Sequence, residues 1–172
     1  MTMPGDERVR HGSEATVWYL GIGSNMNPDK MRGRKIFPAE SCPVRCVDFE
    51  RRFWGKYGMA EVNEKPGAEF HAVLHRITPH EMATLDSMER GYIRKDVTCY
   101  TYGTGTDGDG RCIVATGYQF DAAKLMLNAA TPPSERYKKL MVDGMRHYGC
   151  SPEAIAEMEA TPTQESVARA PN

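Results

Sequence analysis

The chain is 172 residues long, close to the ~100–150 residues most common for one domain. Hydrophobic residues make up 40% and charged residues 26%, the balance of a folded globular chain rather than a disordered one. With 22 basic against 23 acidic residues and no basic stripe, the composition argues against nucleic-acid binding by phosphate neutralisation.

No apolar run approaches the ~20 residues of a membrane helix, and the polar start MTMPGDERVRHGSEAT lacks a secretory apolar core. The expectation is a cytoplasmic protein with a small-molecule partner, no nucleic acid and no membrane. Residues 1–15 read as a flexible lead-in, 16–160 as a single domain and 161–172 as a flexible tail. The five cysteines (Cys42, Cys46, Cys99, Cys112 and Cys150) are odd in number and form no C-x-x-C pair. They are expected to be reduced and structural.

Val17-Trp18-Tyr19-Leu20 is a short apolar, β-favouring run that predicts a buried strand. It opens into the loop Gly21-Ile22-Gly23-Ser24-Asn25, and a short polar helix is predicted over 28–35. Val44 to Trp54 predicts a strand with Val47, Phe49 and Phe53 on one face. Residues 70–75 predict another, covered on both faces because Phe70, Ala72 and Leu74 alternate with His71, Val73 and His75. Two β-rich runs, 94–102 and 112–120, flank the glycine- and aspartate-rich stretch 103–110, which predicts a hairpin tip.

Thr78-Pro79-His80-Glu81 is a capping box with proline at the first helical position, predicting a helix to about Glu89 that Gly91 ends. Ser134 can cap a helix carrying Tyr137, Leu140, Met141 and Tyr148, and Ser151-Pro152 begins another with Ile155 and Met158 inward. The predicted class is α+β: a small mixed β-barrel or strongly curled sheet with flanking helices.

Glu89 is the first chemical candidate. On a 3.6-residue period it shares a stripe with Met82 and Leu85, which places a carboxylate on the inward face at a helix C-terminus. Desolvation and the negative end of the helix dipole both raise the pKa of such a group toward the range of a general acid or base. The same residue also reads as a wet boundary carboxylate paired with Arg90 or Arg94. The loop Gly21-x-Gly23-Ser24-Asn25 offers successive backbone N–H groups suited to an anion or oxyanion. It lacks the third glycine of a dinucleotide fingerprint and the lysine of a P-loop. His71 and His75 lie roughly 13 Å apart along a strand, too far to share one metal. Asp107-x-Asp109 lacks the oxygen ligand and closing glutamate of a calcium loop.

Taken together these segments carry a resemblance. Tyr19-Leu20-Gly21-Ile22-Gly23-Ser24-Asn25-Met26 resembles the glutamyl-binding loop Y-F-A-Y-G-S-N-M of the γ-glutamylcyclotransferases. Leu85-Asp86-Ser87-Met88-Glu89 is similar to the family's L-D-x-x-E, and Pro132-Pro133-Ser134-Glu135-Arg136-Tyr137-Lys138-Lys139 to its P-P-S-x-x-Y-K-K. The three blocks occur in the family's order. Ile22 stands where the family usually has tyrosine, and the spacing from Glu89 to Tyr92 is shorter than usual.

The resemblance implies intramolecular cyclisation of γ-glutamyl amino acids or peptides to 5-oxoproline, with Glu89 as acid–base. The implied substrate contacts are Tyr19, Gly21, Ile22, Gly23, Ser24, Asn25, Tyr92 and Tyr137. No cofactor or metal is implied, because the nucleophile is the substrate's own α-amine. The family contains dimers, so a homodimer is open. Two alternatives stay beside this reading: a same-fold enzyme acting on another specialised substrate by proton transfer, elimination or isomerisation, and a non-catalytic binding module.

Overall fold

The computed structural model describes residues 15–103, 109–122 and 129–171. The predicted lead-in, apart from residue 15, and the predicted turn at 104–108 lie outside the described residues. Five strands form: β1 (Val17–Gly21), β2 (Glu40–Trp54), β3 (Met59–Ile77), β4 (Tyr92–Tyr102) and β5 (Asp109–Phe120). Their order is β1-β3-β2-β4-β5, with antiparallel neighbours throughout. The curled sheet closes on itself where β1 meets β5 in parallel at Tyr19↔Thr116. This is the α+β class, with a mixed curled sheet, that the sequence predicts.

β3 begins well before the expected residue 70. Its first half, MAEVNEKPGAE, has no alternating pattern. It is held by pairing with β2, in register from Trp54↔Met59 to Phe49↔Glu64. A tight turn joins the two strands, with φ of 78° at Gly55 and 60° at Gly58. A bulge at Asp48 (φ 61°) separates Val47↔Glu69 from Phe49↔Glu64. Asp48 alone stands opposite residues 65–68 of β3, and this break in register flips the side-chain faces of β2. Val44, Cys46 and Phe49 therefore point into the core, and Val47 does not share the face of Phe49 as expected.

The interior of the curled sheet is filled by Leu20, Ile22, Val44, Cys46, Val62, Ala72, Leu74, Val97, Cys99 and Ala115 with their neighbours. Outside it, α3 (Glu135–His147) and α4 (Pro152–Ala160) pack Met141, Val142, Met145, Ala154 and Met158 against Met26 and Val73. Leu140 and Tyr148, also expected inward, are only partly covered. On another side, α1 (Pro28–Gly33) and α2 (Pro79–Met88) bring Met31, Met82 and Leu85 against Tyr19, Ile77 and Tyr118. The Thr78 capping box forms as predicted, with Glu81 N donating to Thr78 Oγ1 at 3.1 Å and Thr78 N to Glu81 Oε2 at 2.9 Å.

The segment expected as a tail carries a helix and contacts to the body of the chain. A short helix, α5 (Gln164–Ala168), starts at the buried Thr163 cap. Gln164 binds the Pro132 and Pro133 carbonyls, at 2.9 Å from Nε2 and 3.0 Å from N. Arg169 pairs with Glu135. The polar composition concealed these anchors because they are hydrogen bonds and an ion pair to distant residues. Among the described residues no helix is long and apolar enough to cross a membrane.

Candidate functional site

The chain leaves β1 at Gly21 and enters a 3₁₀ turn, Ser24–Met26, closed by Met26 N→Gly23 O and Asn27 N→Ser24 O, both 3.0 Å. So irregular a segment exposes backbone carbonyls that must be satisfied. From below, Arg51 Nε donates to Ile22 O at 2.7 Å while Nη2 donates to His71 O at 2.7 Å. His75 Nε2 bonds Asn25 O at 2.9 Å, and Ser41 Oγ lies 2.7 Å from Nδ1. Burial lowers the His75 pKa to about 4. Its ring is therefore neutral at physiological pH, donating from Nε2 and accepting from Ser41.

Tyr137, on the first turn of α3, closes the loop from the other side. Its hydroxyl accepts from Ala60 N at 3.3 Å. A Cβ on residue 23 would come within 2.1 Å of that hydroxyl, so only glycine fits at 23. Gly144 serves the same end one face away: a Cβ there would lie 2.3 Å from Met26 O, and its absence lets α3 lie flush on the turn. Asn25, itself buried, donates from Nδ2 to Tyr19 Oη at 2.7 Å. Its Oδ1 is buried without a protein partner, a condition found chiefly where water, ion or ligand completes a site.

Glu89 does not belong to the buried stripe of α2. Met82 and Leu85 are buried as expected, but α2 ends at Met88 and Glu89 is its C-cap, with φ −92° and ψ 59°. The chain unwinds there, and Gly91 follows at φ 86°. That break swings the carboxyl out of the helix line and into a cavity. Its side chain is 22% exposed, and Arg34 Nη1 lies 3.7 Å from Oε1. Partial burial raises the Glu89 pKa, and the Arg34 guanidinium partly opposes this. Neither Arg90 nor Arg94 is its partner; Arg94 holds Asp86 instead. Asp86 also accepts from Tyr118 Oη at 2.7 Å.

The cavity has a volume of about 470 Å³, within the ~300–1,000 Å³ of small-molecule sites. Of the residues singled out from sequence, Tyr19, Ile22, Gly23, Ser24, Asn25, Glu89, Tyr92 and Tyr137 line it. Gly21 does not; it lies beneath, where a Cβ would come within 2.9 Å of Asn25 O. Burial foremost, with the Glu89 charge adding to it, raises the pKa values of Tyr19, Tyr92 and Tyr118. Burial also raises that of Tyr137. All four phenols therefore remain protonated donors.

Sequence reasoning missed the other walls. Arg34 comes from the end of α1, Trp54 to Ala60 from the β2–β3 turn, and Tyr118 and Phe120 from β5. Tyr92 and Phe120 are cross-strand partners with rings stacked at 4.5 Å. The aromatic alternation of Tyr118 and Phe120 was a usable signal for β5. Nothing local marks Arg34. His71 and His75 serve structure, the former bonded to Tyr102 Oη at 2.5 Å. Among the described residues no cluster of three or more His, Cys, Asp or Glu side chains could hold a metal ion.

No protein-family model matches the chain. It is 26% identical over 160 residues to the γ-glutamylcyclotransferase of Mus musculus, covering 87% of this chain and 81% of that one. The Homo sapiens γ-glutamylcyclotransferase is 25% identical over 174 residues, covering 93% and 86%. Among solved structures, a γ-glutamyl cyclotransferase shares the fold with a TM-score of 0.72 at 20% identity, covering 88% of this chain and 90% of that one. The chain is γ-glutamylcyclotransferase-like in sequence and in fold.

Proposed function

We propose that this γ-glutamylcyclotransferase-like chain releases an amine from a γ-glutamyl amide by cyclising the glutamyl half to 5-oxoproline. The observation that supports this most directly is that the Glu89 carboxyl and the loop at 22–25 line one cavity. The substrate's α-amine attacks its own γ-carbonyl carbon, a new C–N bond closes a five-membered lactam, and the original amide C–N bond breaks. Holding amine and carbonyl in near-attack geometry can supply ~7–11 kcal/mol in favourable intramolecular cases. The protein therefore needs no nucleophile of its own.

Glu89 carries two protons in turn from the α-nitrogen, an ammonium in the substrate and a lactam N–H in the product, to the departing nitrogen, which leaves as an ammonium, so the step is proton-neutral. Burial raises its pKa toward the range in which one carboxyl can both take and return a proton, with Arg34 partly opposing. Because Tyr137 Oη already accepts from the Ala60 N–H, its own proton is directed onward to the glutamyl head. Tyr19 Oη, accepting from Asn25, does the same. The Gly23, Ser24 and Asn25 amides are those assigned to the oxygen that becomes negative in the tetrahedral intermediate.

The test is a panel of γ-glutamyl amino acids, γ-glutamyl-lysine and glutathione incubated with purified protein, with 5-oxoproline quantified. Release from at least one supports the reading. Binding without any 5-oxoproline would replace it with the binding-module alternative.

A further inference from the structure

The two ends of the cavity differ in chemistry. At the inner end are Glu89, Arg34, Asn25, Ser24 and the hydroxyls of Tyr19 and Tyr137. At the outer end the turn between β2 and β3 and the last residue of α2 present Trp54, Tyr57, Met59 and Met88, beside the stacked pair Tyr92 and Phe120. Tyr57 is 67% exposed, Met59 37% and Met88 47%. These three of the seven exposed large hydrophobics among the described residues all converge on one cavity mouth, while Phe37, Ile93, Val114 and Val167 do not line it. Apolar side chains scattered singly on a surface need no explanation, but a contiguous apolar rim continuous with a polar pocket marks a ligand face.

Resting on the cyclisation proposed above, we infer that the leaving amine carries an aromatic or long apolar group, which lies on the rim of Trp54, Tyr57, Met59 and Met88. A glutamyl head bound at Glu89 and the 22–25 loop points its amide nitrogen outward, so whatever is attached to that nitrogen must cross this rim. Covering it removes apolar surface from water at about 25 cal/mol per Å². A cationic amine is disfavoured. Arg34, Lys56 and Arg90 line the cavity against Glu89 as its single acid, and Glu89 is already paired with Arg34. Lys56 Nζ stands 5.3 Å from the Tyr57 ring centroid, placing one of those cations on the rim itself.

The experiment compares kcat/KM for γ-glutamyl-phenylalanine, γ-glutamylglycine and ε-(γ-glutamyl)-lysine by 5-oxoproline release, with wild type and the exposed-site variants Tyr57→Ser and Met59→Ser. The phenylalanine conjugate should exceed the glycine conjugate by at least ~10-fold, the scale on which apolar pockets discriminate, and the lysine conjugate should be the poorest. Both variants should pull the phenylalanine-to-glycine ratio toward one, chiefly through KM. A glycine conjugate turned over as well as the phenylalanine conjugate overturns the inference and leaves the cyclisation intact. Should no conjugate yield 5-oxoproline, the reaction itself is wrong, and calorimetric titration of the same conjugates then decides the rim. Binding of the phenylalanine conjugate at least ~10-fold tighter supports an apolar subsite, and equal binding removes it.

Discussion

At the inner end of the cavity the loop is gripped from two sides. Arg51 and His75 take its carbonyls from beneath, and the Tyr137 hydroxyl packs against Gly23 from above. At the outer end the β2–β3 turn carries the backbone bonds Gly58 N→Gly55 O at 3.2 Å and Gly55 N→Ala129 O at 3.3 Å, while Lys56 and Tyr57 at its tip are exposed. The contrast separates two requirements of one site. Reacting atoms need geometry fixed by redundant contacts, whereas a variable leaving group needs only a surface of the right polarity.

The sharpest way to break the inner end is Glu89→Gln. It removes the charge with little change in shape and should lower 5-oxoproline release at least ~100-fold, the usual cost of losing a general base. The thermal midpoint should stay near wild type; turnover close to wild type would take Glu89 out of the mechanism.

Next is the pH dependence of the support beneath the loop. The His75 pKa falls to about 4 in the folded chain from 6.5 in the unfolded one. The unfolded state then binds more protons between those values. Stability from neutral His75 is therefore complete above pH 6.5 and lost as pH falls toward 4, by about 3 kcal/mol at most. Urea denaturation of wild type and His75→Gln across that window should show the extra slope in wild type only.

A smaller effect sets the two ends side by side. Tyr137→Phe leaves the Ala60 amide without its acceptor and should cost ~1–3 kcal/mol. Tyr57→Ser on the rim should stay within about 0.5 kcal/mol. Equal losses would show that the rim is as structural as the cradle.

The smallest expected effect belongs to Arg34→Met. Among the charged and titratable groups that share the cavity with Glu89 (Arg34, Lys56, Arg90, Tyr19, Tyr92, Tyr118 and Tyr137), Arg34 lowers the Glu89 pKa. Its removal should move the acid limb of the kcat/KM profile to higher pH, with Arg34→Lys restoring it. An unmoved limb would mean that the 3.7 Å pair does not tune the base.

Local information carried much of this protein. The Thr78 capping box, the buried run at Val17–Leu20, the glycine stop at Gly91 and the three motif blocks depend on neighbours a few residues apart, where backbone sterics and hydrogen bonds to near positions decide the outcome. The long first half of β3, the Asp48 bulge and the α5 anchor were illegible. Each is held by partners on another element, across a turn or farther along the chain, and its own composition resembles a loop.

The glycine at 23 was visible as a turn residue, yet its necessity comes from Tyr137, which only the packing of α3 brings there. In the same way a glutamate at the end of a helix was legible as a carboxylate of interest. The tertiary structure decided that it leaves the helix line at a C-cap, which arginine faces it, and that an apolar turn from another hairpin forms the mouth of its cavity. Short-range sterics act along the chain and can be read from it. Electrostatic environment and cavity shape are set by groups distant in sequence, and they exist only once the sheet has closed.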